Sequence, residues 1–488
     1  MQQDFTTNPW DDDKLREECG VFGIFNHADA AAHTALGLHA LQHRGQEAAG
    51  IVSCDQGKFH THREMGHVGD IFGTTKSIEA LPGHSAIGHV RYATTGDVVI
   101  RNVQPLYAEL DFGTIALAHN GNLTNAVTLK ADLVKRGCIF QSTTDTEVII
   151  HLIALSNKAS IFDRIVDACS QVQGAYSLAI LTREAVIGVR DPNGVRPMVL
   201  GKLDGAHIIA SETVALDIIG AEFVRDVKPG EMVVISKSGV QSFQPFAKTP
   251  SRFCIFEYIY FARPDSTIDG KNVYNARRAI GAILAKETGV EADLVVPVPD
   301  SGVPAAIGYA AESKIPYELG IIRNHYIGRT FIEPTDRIRH LGVKLKHNAD
   351  RHRLAGKRVI LIDDSIVRGT TSKKIVEMVR AAGAAEVHMR IASPPTNNPC
   401  FYGIATPEKK DLLAANHDIE AMRQMIKADS LAFISIDGLY RAMGEAKRNA
   451  DMPQFCDACF TGEYAIPLTD EDEAKQPKSQ LPLLAEIA

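Results

Sequence analysis

Residues 357–374 read KRVILIDDSIVRGTTSKK, and few stretches restrict a fold more tightly. The apolar run Val359–Ile362 has no polar alternation and is too short for a helix, so it reads as a strand buried on both faces. It ends in adjacent carboxylates, Asp363 and Asp364, and a loop with Ser365, Arg368, Gly369, Thr370 and Thr371 opens a helix. A strand of this kind belongs in a parallel sheet covered by helices, and ligands bind such sheets beyond the carboxyl ends of their strands. Backbone N–H groups and the dipole at a helix start form a phosphate cradle. Hydroxyls add donors, and Gly369 lets a ligand approach the backbone. Paired carboxylates beside the cradle suit ribose hydroxyls or a divalent metal. The P-loop pattern G-x-x-x-x-G-K-[ST] is absent.

The same form occurs upstream, where DLVVPVPD is followed by the helical PAAIGYAAES. Between the two strands, residues 323–358 hold ten Lys/Arg against three Asp/Glu. A charge run is usually a solvated face, but so dense a cluster in a chain of net charge −7 points to an anion site. The overall acidity argues against a nucleic-acid binder.

The first half is patterned differently. CGVFGIF, AAGIVS, SAIGHVRYAT, TIALAHNGNL, YSLAILT, EAVIGVRD and MVVIS are short apolar runs bounded by turn residues, and read as strands. DAAAHTALGLHALQHRG reads as a helix ended by Gly45, and TTDTEVIIHLIALS and SIFDRIVDACSQV as helices opened by Ser or Thr caps. Layered sheets with covering helices are expected. With 488 residues more than one core is expected. A break falls at 243–253, and the polar tail from about 465 is expected to be disordered. The resulting boundaries are 1–18, 19–245, 254–445 and 446–488. No apolar run reaches membrane-spanning length, and the acidic leader MQQDFTTNPWDDDKLREE lacks the apolar core of a secretion signal. A cytoplasmic protein with no membrane partner is expected.

Of eight cysteines, Cys456 and Cys459 form a CDAC pair. In a reducing compartment such a pair reads as metal-binding or redox-active, and its spacing alone leaves zinc, a redox pair and an iron–sulfur cluster open. Cys54, Cys138 and Cys169 read as core. His39 and His43, four apart on a helix, lack a third ligand and read as packing or capping.

The run from Asp363 to Thr371 resembles the 5-phosphoribosyl diphosphate (PRPP) signature of type I phosphoribosyltransferases. That resemblance implies ribose and Mg²⁺ contacts for the acidic pair, with Ser301 of PVPDSGVP in the pyrophosphate loop. It assigns Arg323, Arg329, Lys344 and Lys346 to a flexible loop over the diphosphate. Upstream, CGVFGIF, QHRGQEAAGI, GHVRYATTG, HNGNLTN and STTDTEV resemble, in order and spacing, the class II glutamine amidotransferases. These have an N-terminal-nucleophile αββα fold, so a mixed α/β and α+β chain is expected, the glutaminase layers preceding a parallel phosphoribosyltransferase domain.

By that resemblance an N-terminal Cys19 attacks the glutamine amide, with its own α-amino group as base. An internal Cys19 has no free amine, so cleavage at Glu18–Cys19 and loss of residues 1–18 are expected. Arg91 and Asp145 are implied to hold the substrate's carboxylate and amino groups, Asn120 and the Gly121 N–H to form the oxyanion hole, and Arg44 to support the nucleophile.

Joined in one chain, the two halves resemble the amidophosphoribosyltransferase family. The activity implied is glutamine-dependent amination of PRPP to 5-phosphoribosylamine, the first step of de novo purine synthesis. The contexts of Cys254 and Cys400 are similar to those in the propeptide- and cluster-containing branch of that family, which implies a [4Fe–4S] cluster on Cys254, Cys400, Cys456 and Cys459. A homotetramer inhibited by purine nucleotides is also implied. Two other readings exist, a glucosamine-6-phosphate-forming amidotransferase and a PRPP-sensing regulator. The first lacks use for the run after Asp363, and the second for Cys19, Arg91, Asn120 and Asp145.

Overall fold

In β1 (Gly20–Phe25) Val21 and Phe25 face one way and Phe22 and Ile24 the other, the two-residue period of a strand buried on both sides. The computed structural model describes residues 19–92, 99–324 and 347–471. Arg329, Lys344, Lys346, the leader 1–18 and the tail beyond 471 lie outside the described residues.

After β1 come β2 (Ala48–Asp55), β3 (Lys58–Met65), β4 (Ser85–Arg91), β5 (Leu106–Leu110), β6 (Gly113–Leu123) and β7 (Gly174–Leu181). They are followed by β8 (Ala185–Arg190), β9 (Val199–Leu203), β10 (Ala206–Ala210), β11 (Glu222–Asp226), β12 (Met232–Ser236) and β13 (Gly239–Phe243). Two antiparallel sheets result, seven-stranded β11-β9-β10-β1-β4-β2-β3 and six-stranded β13-β12-β8-β7-β6-β5. Val21, Val52 and Ile87 of the first meet Ala118, Ala179 and Val233 of the second. On the outer faces, helix Ala30–Ala40 packs Leu38 onto Phe22 and Ile24, and helices Thr146–Leu155 and Ile161–Cys169 cover Leu117, Leu178 and Ile187. The layers are therefore α, β, β, α.

The second half is built on a four-stranded parallel sheet, Leu294–Pro297, Arg358–Asp363, Glu386–Ile391 and Ser430–Phe433 in spatial order. Helices Val273–Thr288 and Val303–Ser313 cover one face, and Thr370–Ala381 and Ile419–Ile426 the other. Burial on both faces explains the unbroken apolar runs of its strands. No helix among the described residues is long and apolar enough to cross a membrane.

Three local readings are corrected. The first helix stops at Ala40, and a turn in which Arg44 N–H donates to the Leu41 carbonyl carries Arg44 inward. The helix from Thr146 opens on Asp145, whose carboxylate makes no cap bond and accepts the Leu123 N–H instead. The tail does not loosen at 465. Tyr402 OH bonds both the N–H and the carbonyl of Ile466, and Asp470 accepts from the Val127 and Thr128 N–H groups at the start of helix Ala126–Lys135. Cys54 and Cys169 are buried as expected, whereas Cys138 is half-buried.

Candidate functional site

Register places the first candidate site. Gly20 of β1 pairs with Val90 of β4, which sets Cys19 beside Arg91. Cys19, Arg91, Gly121 and Asp145 line one small pocket together with Gln104 and His119, which the sequence reading missed. The Cys19 thiol donates to the Tyr92 carbonyl at 3.7 Å. The Asp145 carboxylate accepts the Leu123 N–H at 2.9 Å and lies 3.7 Å from His119 Nδ1. Gln104 fixes His119, accepting its N–H at 2.8 Å and donating to Thr146 Oγ1 at 3.0 Å. Gly121 holds φ at +144°, and a Cβ there would run into the Ala175 carbonyl of β7. Asn120, the neighbour of Gly121, is fully buried, with Nδ2 3.4 Å from Ser211 Oγ and Oδ1 without a hydrogen-bond partner among the described residues. Burial, then the charge of Arg91, lowers the pKa of His89 to about 3, so that imidazole is neutral.

Behind Cys19 sits a buried charge cluster. Arg44 Nε donates to the Cys19 carbonyl at 3.4 Å. The same guanidinium donates to Glu212 and binds both oxygens of Glu257, at 3.2 and 2.6 Å. Arg196 adds a second cation 3.0 Å from Glu257, and His43 donates to Glu212 at 2.7 Å. Burial opposes ionisation of Glu212, but His43 and Arg44 outweigh it and hold that carboxyl well below the usual range. His43 lies past the end of the helix at Ala40, so it does not share a helix with His39, and this carboxylate engages it.

The second candidate site lies at the carboxyl edge of the parallel sheet. The Val298 N–H donates to the Ile362 carbonyl at 2.8 Å, which brings the Ser301 loop beside Asp363 and Asp364. Both carboxylates are buried, at 2% and 3% exposure. Ser365 Oγ donates to Asp364 at 2.7 Å, and Ser301 Oγ is shielded from solvent without a hydrogen-bond partner. Arg368 and Gly369 close the loop, and Thr370 and Thr371 begin the helix. Gly369 is left-handed at φ +80°, and a Cβ there would sit 2.6 Å from Leu413 Cδ2. Arg323, at the end of strand Ile321–Arg323, pairs with Asp300 of the neighbouring loop.

A glutamine amidotransferase domain matches residues 89–217, and a phosphoribosyl transferase domain matches residues 269–392. The amidophosphoribosyltransferase of Rhizobium etli is 59% identical over 96% of this chain and 95% of its own length. The chain belongs to the amidophosphoribosyltransferase family. Its Bacillus subtilis relative is 49% identical over 92% of this chain and 94% of that one. A solved structure of the B. subtilis PRPP amidotransferase with ADP and GMP superposes with a TM-score of 0.88 at 47% identity, covering 96% of this chain and all of that one. The enzyme carries out the first step of purine biosynthesis, transferring ammonia from glutamine to PRPP and yielding 5-phosphoribosylamine, glutamate and pyrophosphate.

Four cysteines of this amidophosphoribosyltransferase family member come close together. Cys254 and Cys456 are register partners in a parallel two-stranded ladder, and Cys459 lies on the following helical turn, Ala458–Thr461. Burial, then the nearby Cys254 and Cys400, pushes the Cys456 and Cys459 thiols well above their ordinary pKa. None of the four is disulfide-bonded.

Proposed function

We propose that Cys19 is the glutaminase nucleophile of this enzyme, freed by loss of residues 1–18. The observation that carries this reading is the convergence of Cys19, Arg91, Gly121 and Asp145 on one pocket. Cys19 also holds φ at +58°, a left-handed conformation costly for a residue with a Cβ. Scission of the preceding peptide bond removes that constraint and supplies the α-amine.

That amine takes the thiol proton, and Sγ attacks the glutamine amide carbon. Arg91 holds the substrate carboxylate and Asp145 its ammonium. The Gly121 N–H and the Asn120 side-chain amide stabilise the tetrahedral oxyanion. Exchanging the Asn120 amide atoms lets the Ser211 hydroxyl donate to Oδ1 and releases Nδ2 for this task. The α-ammonium returns its proton to the amide nitrogen, and the C–N bond breaks to release ammonia. The glutamyl thioester left behind is hydrolysed by water to glutamate and the free thiol.

Ammonia then attacks carbon 1 of PRPP and pyrophosphate leaves. Asp363 and Asp364 face the ribose, while Ser365, Arg368, Gly369, Thr370 and Thr371 cradle the 5-phosphate. Arg323, with Arg329, Lys344 and Lys346, contacts the diphosphate. Two buried carboxylates and the unpartnered Ser301 hydroxyl fit a hard cation with oxygen ligands. Mg²⁺ on Ser301, Asp363 and Asp364 would neutralise charge on the leaving pyrophosphate.

The cysteine group fits a [4Fe–4S] cluster on Cys254, Cys400, Cys456 and Cys459, the mark of a propeptide- and cluster-containing branch. Sulfurs around one tetrahedral zinc lie about 3.8 Å apart. Among the described residues no three of these sulfurs lie within 4.8 Å of one another, which a single tetrahedral zinc would require. Inhibition by purine nucleotides is supported by the ADP and GMP of the solved B. subtilis relative. A cytoplasmic homotetramer completes the reading. Intact mass tests the processing step: a mature chain beginning at Cys19 is expected, and an active chain retaining its leader would contradict it.

A further inference from the structure

The cluster behind Cys19 is built from both halves of the chain. Arg44 and Glu212 belong to the glutaminase layers, but their further partners come from one segment that begins at Cys254. Glu257, fully buried, takes Arg44 with both carboxylate oxygens. Six residues on, the Arg263 N–H donates to Glu212 Oε2 at 3.0 Å, and Ser266 Oγ donates to the same oxygen at 2.6 Å. The segment is seated further by the Thr267 N–H on Thr213 Oγ1 at 2.9 Å and the Asp269 N–H on Asp226 at 3.0 Å. Arg44 is wholly enclosed, and its Nε points at the Cys19 carbonyl.

A buried guanidinium goes where its carboxylates are, because an unpaired ion in the interior is strongly disfavoured. Glu257 and Glu212 therefore fix the planar fork of Arg44, and the fork's remaining edge fixes the Cys19 carbonyl. The carbonyl carbon is bonded to the Cα that carries the α-amine and, through Cβ, the Sγ, so its orientation constrains the aim of both groups.

We propose that Glu257 is a positioning residue for the glutaminase half-reaction, acting through Arg44 on Cys19, so that the seating of the segment Cys254–Ser266 governs the alignment of the nucleophile. This rests on the reading of Cys19 as nucleophile. Glu257 touches neither substrate nor the reacting atoms. Its effect belongs in kcat for glutamine, because substrate recognition falls to Arg91 and Asp145.

The test compares glutamine-dependent with ammonia-dependent 5-phosphoribosylamine formation in the full-length, processed enzyme. Glu257→Gln keeps the side chain's shape and removes its charge. Its glutaminase kcat is expected to fall at least tenfold, with the glutamine KM changed less than threefold and the ammonia-dependent rate kept. Ser266→Ala, a milder change on the same segment, is expected to lower glutaminase kcat several-fold with the same selectivity. Unchanged glutaminase kcat in both variants overturns the proposal, and so does a parallel loss of both activities in both variants. A wild-type enzyme that uses ammonia but releases no glutamate from glutamine refutes the Cys19 reading itself, which separates the two failures.

Discussion

Cys254 and Cys456 stand opposite each other in a parallel ladder, so the segment leaving the glutaminase sheets is tied directly to the end of the phosphoribosyltransferase half. The Ile255 N–H donates to the Cys456 carbonyl at 3.1 Å, and Cys459 and Cys400 lie near this pair. Anaerobically purified protein is expected to hold about four iron and four sulfide per chain. Cys456→Ser is expected to lose both. A preparation that carries only zinc contradicts the assignment.

On the glutamine side, Asp145→Asn keeps the bond to the Leu123 N–H but removes the charge that the proposed substrate ammonium would meet. A charge-assisted hydrogen bond contributes about 1.5–3 kcal/mol, so the glutamine KM is expected to rise roughly 10- to 100-fold. The ammonia-dependent rate is expected to be unchanged. Steady-state kinetics with each nitrogen donor checks this.

At the phosphate loop, Gly369→Ala forces a Cβ into left-handed backbone at φ +80°, 2.6 Å from Leu413 Cδ2. The conformation alone costs about 1–2 kcal/mol. Urea unfolding should register that loss, and the PRPP KM should rise with glutamine hydrolysis retained.

Strand β4, which leads to Arg91 at the pocket, also carries a pH signature. His89 is held neutral, its pKa lowered to about 3, whereas in the unfolded chain the imidazole titrates near its ordinary 6.5. The unfolded state takes up the proton first as pH falls. Stability tied to His89 is therefore complete above about pH 6.5 and is lost progressively toward pH 3, by on the order of 4 kcal/mol. His89→Gln should flatten the dependence of stability on pH between 6 and 4 by about 1.4 kcal/mol per pH unit. Denaturant titrations at pH 4, 5 and 6 measure it, and parallel curves for the two proteins would contradict it.

Legibility in the sequence followed locality. Cys19, Gly121 and Asp145 are legible only through the resemblance of their runs to a known family, whereas the strand ending at Asp363 announces both its burial and its loop. Glu212 and Glu257 do not, because an acid in SETVAL or IFEYIYF becomes informative only when folding buries it against Arg44 from another strand connection. Gln104 and His119 were hidden for the same reason: each acts through a partner remote in sequence. The tail misled in the opposite direction. Asp470 reads as a solvated acid, yet it satisfies the first N–H groups of a helix more than three hundred residues upstream. The helix after Asp145 reads as opened by a Ser or Thr cap, but Asp145 takes that position without making a cap bond and lines the pocket instead.

The most direct test of the account is the nitrogen-donor dependence of Cys19→Ala. Wild-type protein, with residues 1–18 removed, is expected to release equal amounts of glutamate and pyrophosphate from glutamine and PRPP. Cys19→Ala should lose the glutamine-dependent reaction by a factor of roughly 10³ or more, the scale of removing a covalent nucleophile, while ammonium salts still support pyrophosphate release. Glutamine-dependent synthesis that survives the substitution would contradict the account.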